Sequence, residues 1–352
     1  MCGEITGRMV FCCSGNFELG LGHLARCSIL AEYLASKGSI YAIRPDPVAE
    51  SYLRGKAQCY HLIPPGFSET EEAEYLIKAA KEIKAKTIVL DRKDNESEYV
   101  GILKEAGLFV LDLEDRGPGR DSADILIDPH IPTGSPEAIY HGSAFCGFGP
   151  GWSILHPLYT RLHKRAVLSM RNRREAGPVS EIVISCGGSD PAGLASRVVK
   201  ALDRRSETFR ITVVAGAGAR QAYPDCQNHP VRTLHRLDSL ARTLCQSDLA
   251  FTSGGITMFE SLCLGLPTVV LAQHEEQYRN AAKLASQEAL LLTPPPEDKA
   301  FGIGLEVVLE ELLHDGALRL RLSRKGLSLV DGGGLKRLKK AMAQTNTKAL
   351  SC

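Results

Sequence analysis

Thr252-Ser253-Gly254-Gly255-Ile256-Thr257-Met258-Phe259-Glu260 runs on through Ser261-Leu262-Cys263-Leu264-Gly265-Leu266-Pro267 into an apolar run at 268–272. Leu249-Ala250-Phe251 before it reads as a short buried strand, and 254–265 as a helix closed by Gly265 and Pro267. The glycines therefore sit where a strand hands over to a helix. A helix start exposes unpaired N–H groups and the positive end of a dipole, and residues without side chains let a phosphate approach. Glu260 falls about a turn and a half into the helix, within reach of a sugar hydroxyl near the same end. The stretch reads as a site for a nucleoside diphosphate held by Ser253, Gly254, Gly255, Ile256, Thr257 and Glu260; an ordinary glycine-rich turn fits the same pattern.

Working outward, strand and helix signals alternate through most of the chain, the pattern of parallel sheets covered by helices. Strands are expected at 9–13, 39–43, 87–90, 108–111 and 125–127, then at 181–186 and 209–214. Helices are expected at 22–37, at 68–84 behind the capping box Ser68-Glu69-Thr70-Glu71, and from Asp190-Pro191 to about 202. The basic stretch 161–174 reads as the link between two lobes. Both halves open with a strand, a glycine turn and a helix, so the expected fold is α/β, two doubly wound Rossmann-like domains facing across a cleft.

The chain has 352 residues with a net charge of +1, which suits two domains and argues against non-specific nucleic-acid or anionic-membrane binding. No apolar run approaches the roughly 18–20 residues of a membrane span, and the N-terminus lacks a signal-peptide form. Eleven scattered cysteines without a C-x-x-C pair read as reduced thiols of a cytoplasmic protein. Ten dispersed histidines give no metal-ligand spacing, so no metal and no cofactor are expected.

The second informative stretch is Leu19-Gly20-Leu21-Gly22-His23-Leu24-Ala25-Arg26, between the first strand and first helix. That carboxyl end of the strands is where open α/β sheets bind ligands. Gly20 and Gly22 allow a tight turn, and His23 enters the first helical turn. The dipole there disfavours an imidazolium, so a neutral His23 can accept a proton. A core histidine, or one that only hydrogen-bonds, is the alternative.

Gly20–Cys27 followed by Leu30-Ala31 closely resembles the N-terminal signature of the UDP-sugar hydrolases of pseudaminic acid biosynthesis, which act on UDP-2,4-diacetamido-2,4,6-trideoxy-β-L-altropyranose. Residues 149–157, 187–191, 252–267 and 331–337 fit the same family in order. Residues 253–260 with Gln273-His274 and 277–281 are also similar to the UDP site of the lipid II-forming N-acetylglucosaminyltransferase. The resemblance implies a GT-B fold: a sugar or acceptor domain at 1–163, a UDP-binding domain at 164–334, and a C-terminal helix at 335–352 that can cross back to the first lobe. It implies His23 as the catalytic base. Substrate contacts are expected from Gly20, Gly22, Arg26, Asp91, Gly188, Ser189, Ser253, Gly254, Gly255, Ile256, Thr257, Glu260, Gln277 and Asn280. The departures lie in the first half: Cys12 and Ser14 replace an Arg and an Asp, and Arg92-Lys93 follow Asp91 where the family has His-Tyr. The first reading is thus a metal-independent UDP-sugar hydrolase. A UDP-sugar-dependent glycosyltransferase of surface polysaccharide synthesis is the alternative, and a non-catalytic nucleotide-sugar binder the third.

Overall fold

The structure, a computed structural model, describes residues 7–13, 21–134, 140, 142, 145–170, 177–188, 190–216, 226–235, 237 and 239–349. Of the positions singled out above, Ser14, Gly20 and Ser189 lie outside the described residues. The chain divides into two units: Met1–Ile154 with Gly333–Cys352, and Leu155–Gly332.

In unit 1 the strands are β1 (Met9–Cys13), β2 (Ile40–Ile43), β3 (Tyr60–Leu62), β4 (Thr87–Asp91), β5 (Phe109–Leu113), β6 (Ile125–Asp128) and β7 (Phe145–Phe148). They form one sheet in the order β3-β2-β1-β4-β5-β6-β7, with every neighbouring pair parallel. Helices α1 (Gly22–Leu34), α2 (Pro47–Gly55), α3 (Glu69–Glu82) and α4 (Ser97–Glu105) connect the strands. Burial on both faces explains the continuous apolar runs. Met9, Phe11 and Cys13 face one core with Leu24 and Leu30 of α1; Val10 and Cys12 face another with Leu76 of α3 and Val100 of α4. The capping box opens α3 as expected: the Ser68 hydroxyl accepts from the Glu71 amide, and the Glu71 carboxylate accepts from the Ser68 amide.

Unit 2 begins with α5 (Pro157–Met170), so the basic stretch expected to be a linker is helical through Met170. The division of the chain falls at Ile154–Leu155 rather than at 163–164. The basic residues belong to the exposed side of a helix whose Tyr159 is fully buried, which is why the stretch shows little apolar periodicity. The strands that follow are β8 (Glu181–Ser185), β9 (Arg210–Ala215), β10 (Val231–His235), β11 (Leu249–Thr252), β12 (Thr268–Val270) and β13 (Leu291–Leu292). Their order is β10-β9-β8-β11-β12-β13, again parallel throughout. The helices are α6 (Leu194–Leu202), α7 (Ala241–Cys245), α8 (Ile256–Cys263), α9 (Glu275–Ala285), α10 (Phe301–His314) and α11 (Gly316–Leu329). No helix among the described residues is long and apolar enough to cross a membrane.

The last helix, α12 (Gly334–Ala349), belongs to unit 1. Its Leu335, Leu338, Ala341 and Met342 join the core that holds Phe11 and Leu24. Gly334 sits against backbone: a Cβ there would lie 2.2 Å from the Ser153 carbonyl oxygen. Leu338 is fully buried in this core. Leu338→Ala should therefore cost about 2–5 kcal/mol of stability, read as a fall in the urea midpoint at unchanged slope.

Candidate functional site

The two sheets share one topological feature. In each, the strand order reverses beside the first strand of the unit, between β1 and β4 in unit 1 and between β8 and β11 in unit 2. The loops leaving two such strands diverge to opposite faces and open a crevice at their carboxyl ends. In both units that is where the sequence-predicted residues gather.

In unit 1, α1 starts at Gly22 after β1, and His23 is its second residue. Asp91 is the last residue of β4, directly opposite Cys13 of β1 in the ladder. His23 Nδ1 lies 2.6 Å from Asp91 Oδ1. One turn along α1, Arg26 grips the same carboxylate with two nitrogens: Nη2 to Oδ1 at 2.6 Å and Nε to Oδ2 at 2.9 Å. A further Arg26 nitrogen, Nη1, donates to Glu114. Asp91 is fully buried. Burial by itself would raise its pKa, but Arg26 and His23 override that and hold the carboxyl well below the usual range. An ionised Asp91 can only accept, so Nδ1 of His23 must carry the proton of their short contact. Arg26 Nη2 is also 3.3 Å from Nδ1, but it too is a donor, and its hydrogen goes to Asp91 at the shorter distance. A neutral His23 is thereby fixed in the tautomer whose lone pair is on Nε2.

Arg26 was expected to contact substrate. Its guanidinium is instead consumed within the protein by two carboxylates. Gly22 was expected for a tight turn, yet it is an ordinary first helical residue, and a Cβ there would meet nothing within 4 Å. Asp112, at the end of β5, is fully buried beside Asp115 and Asn95. Burial first and Asp115 second push the Asp112 carboxyl well above the usual range. Asp115 Oδ2 is buried there without a hydrogen-bond partner among the described residues.

In unit 2, two glycine turns lie side by side, Cys186–Gly188 after β8 and Ser253–Gly255 after β11. They are stitched together by Gln273 and Gln277. Gln273 Nε2 donates to the Cys186 carbonyl at 2.9 Å and to Asp190 Oδ1 at 3.1 Å. Gln277 Oε1 accepts from the Gln273 amide at 2.9 Å and from the Gly254 amide at 3.3 Å. The amide pair expected at Gly254 and Gly255 is thus divided. Gly254 is buried with its N–H directed to Gln277, and a Cβ on it would come within 2.9 Å of that side chain. Gly255 is half-buried with nothing within 4 Å of its added Cβ, and it leads α8 without any side-chain cap. The first-turn amides of Ile256 and Thr257, both half-buried, are those a helix leaves without internal partners. Ser253 is nearly buried, and its Oγ would lie 3.2 Å from a Cβ on Gly187.

Gly188 is half-buried, and its carbonyl would lie 2.2 Å from a Cβ on Gly216, so Gly216 serves this backbone contact. Asp190 is not the N-cap expected of it, a position that falls to Gly193, but its carboxylate accepts from the Leu194 and Ala195 amides at 2.8 and 2.9 Å. The helix itself starts at Leu194 rather than Pro191, because Asp190 (φ +45°) and Gly193 (φ +61°) are left-handed. His274 is the N-cap of α9, and Asn280 is half-buried one turn beyond Gln277 on the same helix. Glu260, half-buried on α8, has its carboxyl pushed up to about 7 by burial, with the Tyr159 hydroxyl of α5 pulling it down. Tyr159 and Glu114 were missed as site neighbours; only the fold brings them to Glu260 and Arg26.

No protein-family model matches the chain. It is 24% identical over 339 residues to the spore coat polysaccharide biosynthesis protein SpsG of Bacillus subtilis (strain 168), covering 92% of this chain and 94% of that protein. It is 25% identical over 278 residues to an uncharacterized protein of Methanocaldococcus jannaschii, 75% of this chain but only 55% of that one. Among solved structures, Acinetobacter baumannii MurG matches with a TM-score of 0.66 at 13% identity, covering 95% of this chain and 98% of MurG. The kitacinnamycin glycotransferase gives 0.62 at 15%, covering 97% and 99%. The spinosyn rhamnosyltransferase SpnG gives 0.56 at 16%, covering 94% and 99%. These likenesses establish the fold as two parallel-sheet α/β domains of the GT-B type. They also overturn the expectation of a hydrolase: the names of these matching structures point to sugar transfer, and a further match is named a putative UDP-N-acetylglucosamine 2-epimerase, with no hydrolase among them.

The pairing in unit 1 has a thermodynamic consequence. Asp91→Ala would leave the Arg26 charge buried against Glu114 alone, at a cost of about 3–5 kcal/mol in chemical denaturation. Because the folded-state pKa of Asp91 is depressed, its contribution is present above the unfolded carboxylate range and is lost as pH falls through that range and below. The variant's stability should accordingly vary less with pH on the acid side than that of the wild type.

Proposed function

We propose that this chain transfers a sugar from uridine diphosphate to a hydroxyl group of an acceptor in polysaccharide biosynthesis. The observation that carries the reading is the His23–Asp91 pair. A buried, ionised carboxylate fixes Nδ1–H, and the lone pair of Nε2 is left to take a proton. In the reaction, the acceptor oxygen bonds to the anomeric carbon and the bond from that carbon to the diphosphate breaks. His23 takes the acceptor's proton, and the diphosphate leaves with the electron pair. Asp91 stabilises the imidazolium that forms. The start of α8, with the amides of Gly255, Ile256 and Thr257, receives the negative charge of the diphosphate. Glu260, in its ionised form, accepts hydrogen bonds from the ribose hydroxyls.

The likeness to MurG and to two sugar transferases supports the fold this requires. The likeness to a spore coat polysaccharide protein along nearly the whole chain supports the pathway class. Gln277 and Asp190 keep a supporting part here: they hold the two glycine turns in register rather than touching the sugar.

Two measurements test the reading. His23→Ala should lower acceptor-dependent UDP release by about 10²–10⁴-fold, the range for a lost general base, while calorimetry finds UDP bound as before. UDP release that is equally fast without any acceptor would overturn the transferase reading. The second uses UDP-glucose as a binding probe, since its diphosphate does not titrate near neutrality. Glu260 is neutral below about 7 and ionised above. Affinity should therefore rise as pH increases through that value. Glu260→Gln should flatten the profile and cost about 1.5–3 kcal/mol at high pH.

A further inference from the structure

Glu114 follows β5 and has a left-handed backbone, φ +57°, which is unfavourable for a residue with a side chain. The surrounding loop is held from several directions. The Glu114 amide donates to the Ile127 carbonyl at 2.9 Å, extending the β5–β6 ladder. Asp115 Oδ1 accepts from the Asn95 amide at 3.0 Å and the Gly117 amide at 2.9 Å. Asn95 Nδ2 reaches both oxygens of Asp112 at 3.4 Å. Gly117 packs so closely that a Cβ would lie 2.3 Å from the Asn95 carbonyl oxygen. This buried network fixes a strained residue whose carboxylate, only 13% exposed, lands on Arg26 Nη1.

Arg26 then has one rigid plane shared between two acids. With Nη1 committed to Glu114, Nε and Nη2 are aimed at Asp91, and both Asp91 oxygens are fixed in place. His23 takes its direction from Oδ1 of that carboxylate. A lysine could not reproduce this, because a point charge has no planar fork.

We infer that Glu114 and Arg26 are positioning residues for His23: the strained Glu114 holds the Arg26 guanidinium so that Asp91 binds Nδ1–H of the imidazole and directs Nε2 to the acceptor. The inference rests on the reading of His23 as the proton acceptor, and the test separates the two. The protein is labelled with ¹⁵N-histidine, and the His23 signals are assigned by their loss in His23→Gln. In the wild type the nitrogen shifts report the Nδ1–H tautomer. Glu114→Ala should give mixed tautomers and lower kcat about 100-fold, the scale of an ångström-sized misplacement, with UDP affinity unchanged. Glu114→Gln keeps an oxygen for Arg26 and should restore both the tautomer and most of kcat; Arg26→Lys should restore neither. If Glu114→Ala retains the Nδ1–H tautomer, the inference is overturned, whatever happens to kcat. If the tautomer is lost while kcat stays at the wild-type value, the positioning role stands and His23 is not the base.

Discussion

A single buried carboxylate organises the first unit. Asp91 has no exposure to water, so its charge survives only because Arg26 and His23 surround it. An unpaired charge at that depth would neutralise or force the loops apart. The arrangement thus ties the end of β4 to the first turn of α1, and through Arg26 to the loop after β5. What stabilises the charge also gives the imidazole its tautomer, so the electrostatics of folding and of proton transfer are one problem.

The second unit solves a different problem with the same topology. Among the described residues its switch point shows no buried ion pair of this kind; two glycine turns are held together by side-chain amides. Neutral amides bridge backbone groups while leaving the positive end of α8 uncompensated, as an anionic ligand requires. Glu260 lies deeper on α8, and burial brings its carboxyl near neutrality, so its charge depends on conditions and on what binds beside it. In the proposed reading, proton acceptance falls to the first unit and anion recognition to the second.

Much of this was readable in the residues themselves. The apolar runs at 9–13, 87–90 and 181–186 announced strands buried on both faces, because parallel sheets covered by helices exclude water from either side. Ser68 and Glu71 announced the start of α3, since a capping box is settled within four residues. The basic stretch 161–174 misled, because Tyr159 is the buried residue of that helix while Arg161, Lys164 and Arg165 are exposed, which leaves a weak periodic signal. The sequence named candidate residues, but not the groups that each of them meets. Arg26 was assigned to substrate and turned out to be bound by acids 65 and 88 positions away.

The sequence by itself determined the parallel α/β class, the strand–glycine–helix turns, and His23, Asp91, Gly255 and Glu260 as the residues to examine. The class and the turns follow from periodicity, caps and turn chemistry, which act over a few residues, and Asp91 from the family resemblance. Only the tertiary structure decided which groups those residues meet. The partner of the Gly254 amide is 23 residues distant, that of His23 is 68, and Tyr159 approaches Glu260 from another helix. Such pairings are set by strand order and by the cost of leaving buried charges and amides without partners, a condition of the whole sheet and not of any local stretch of chain.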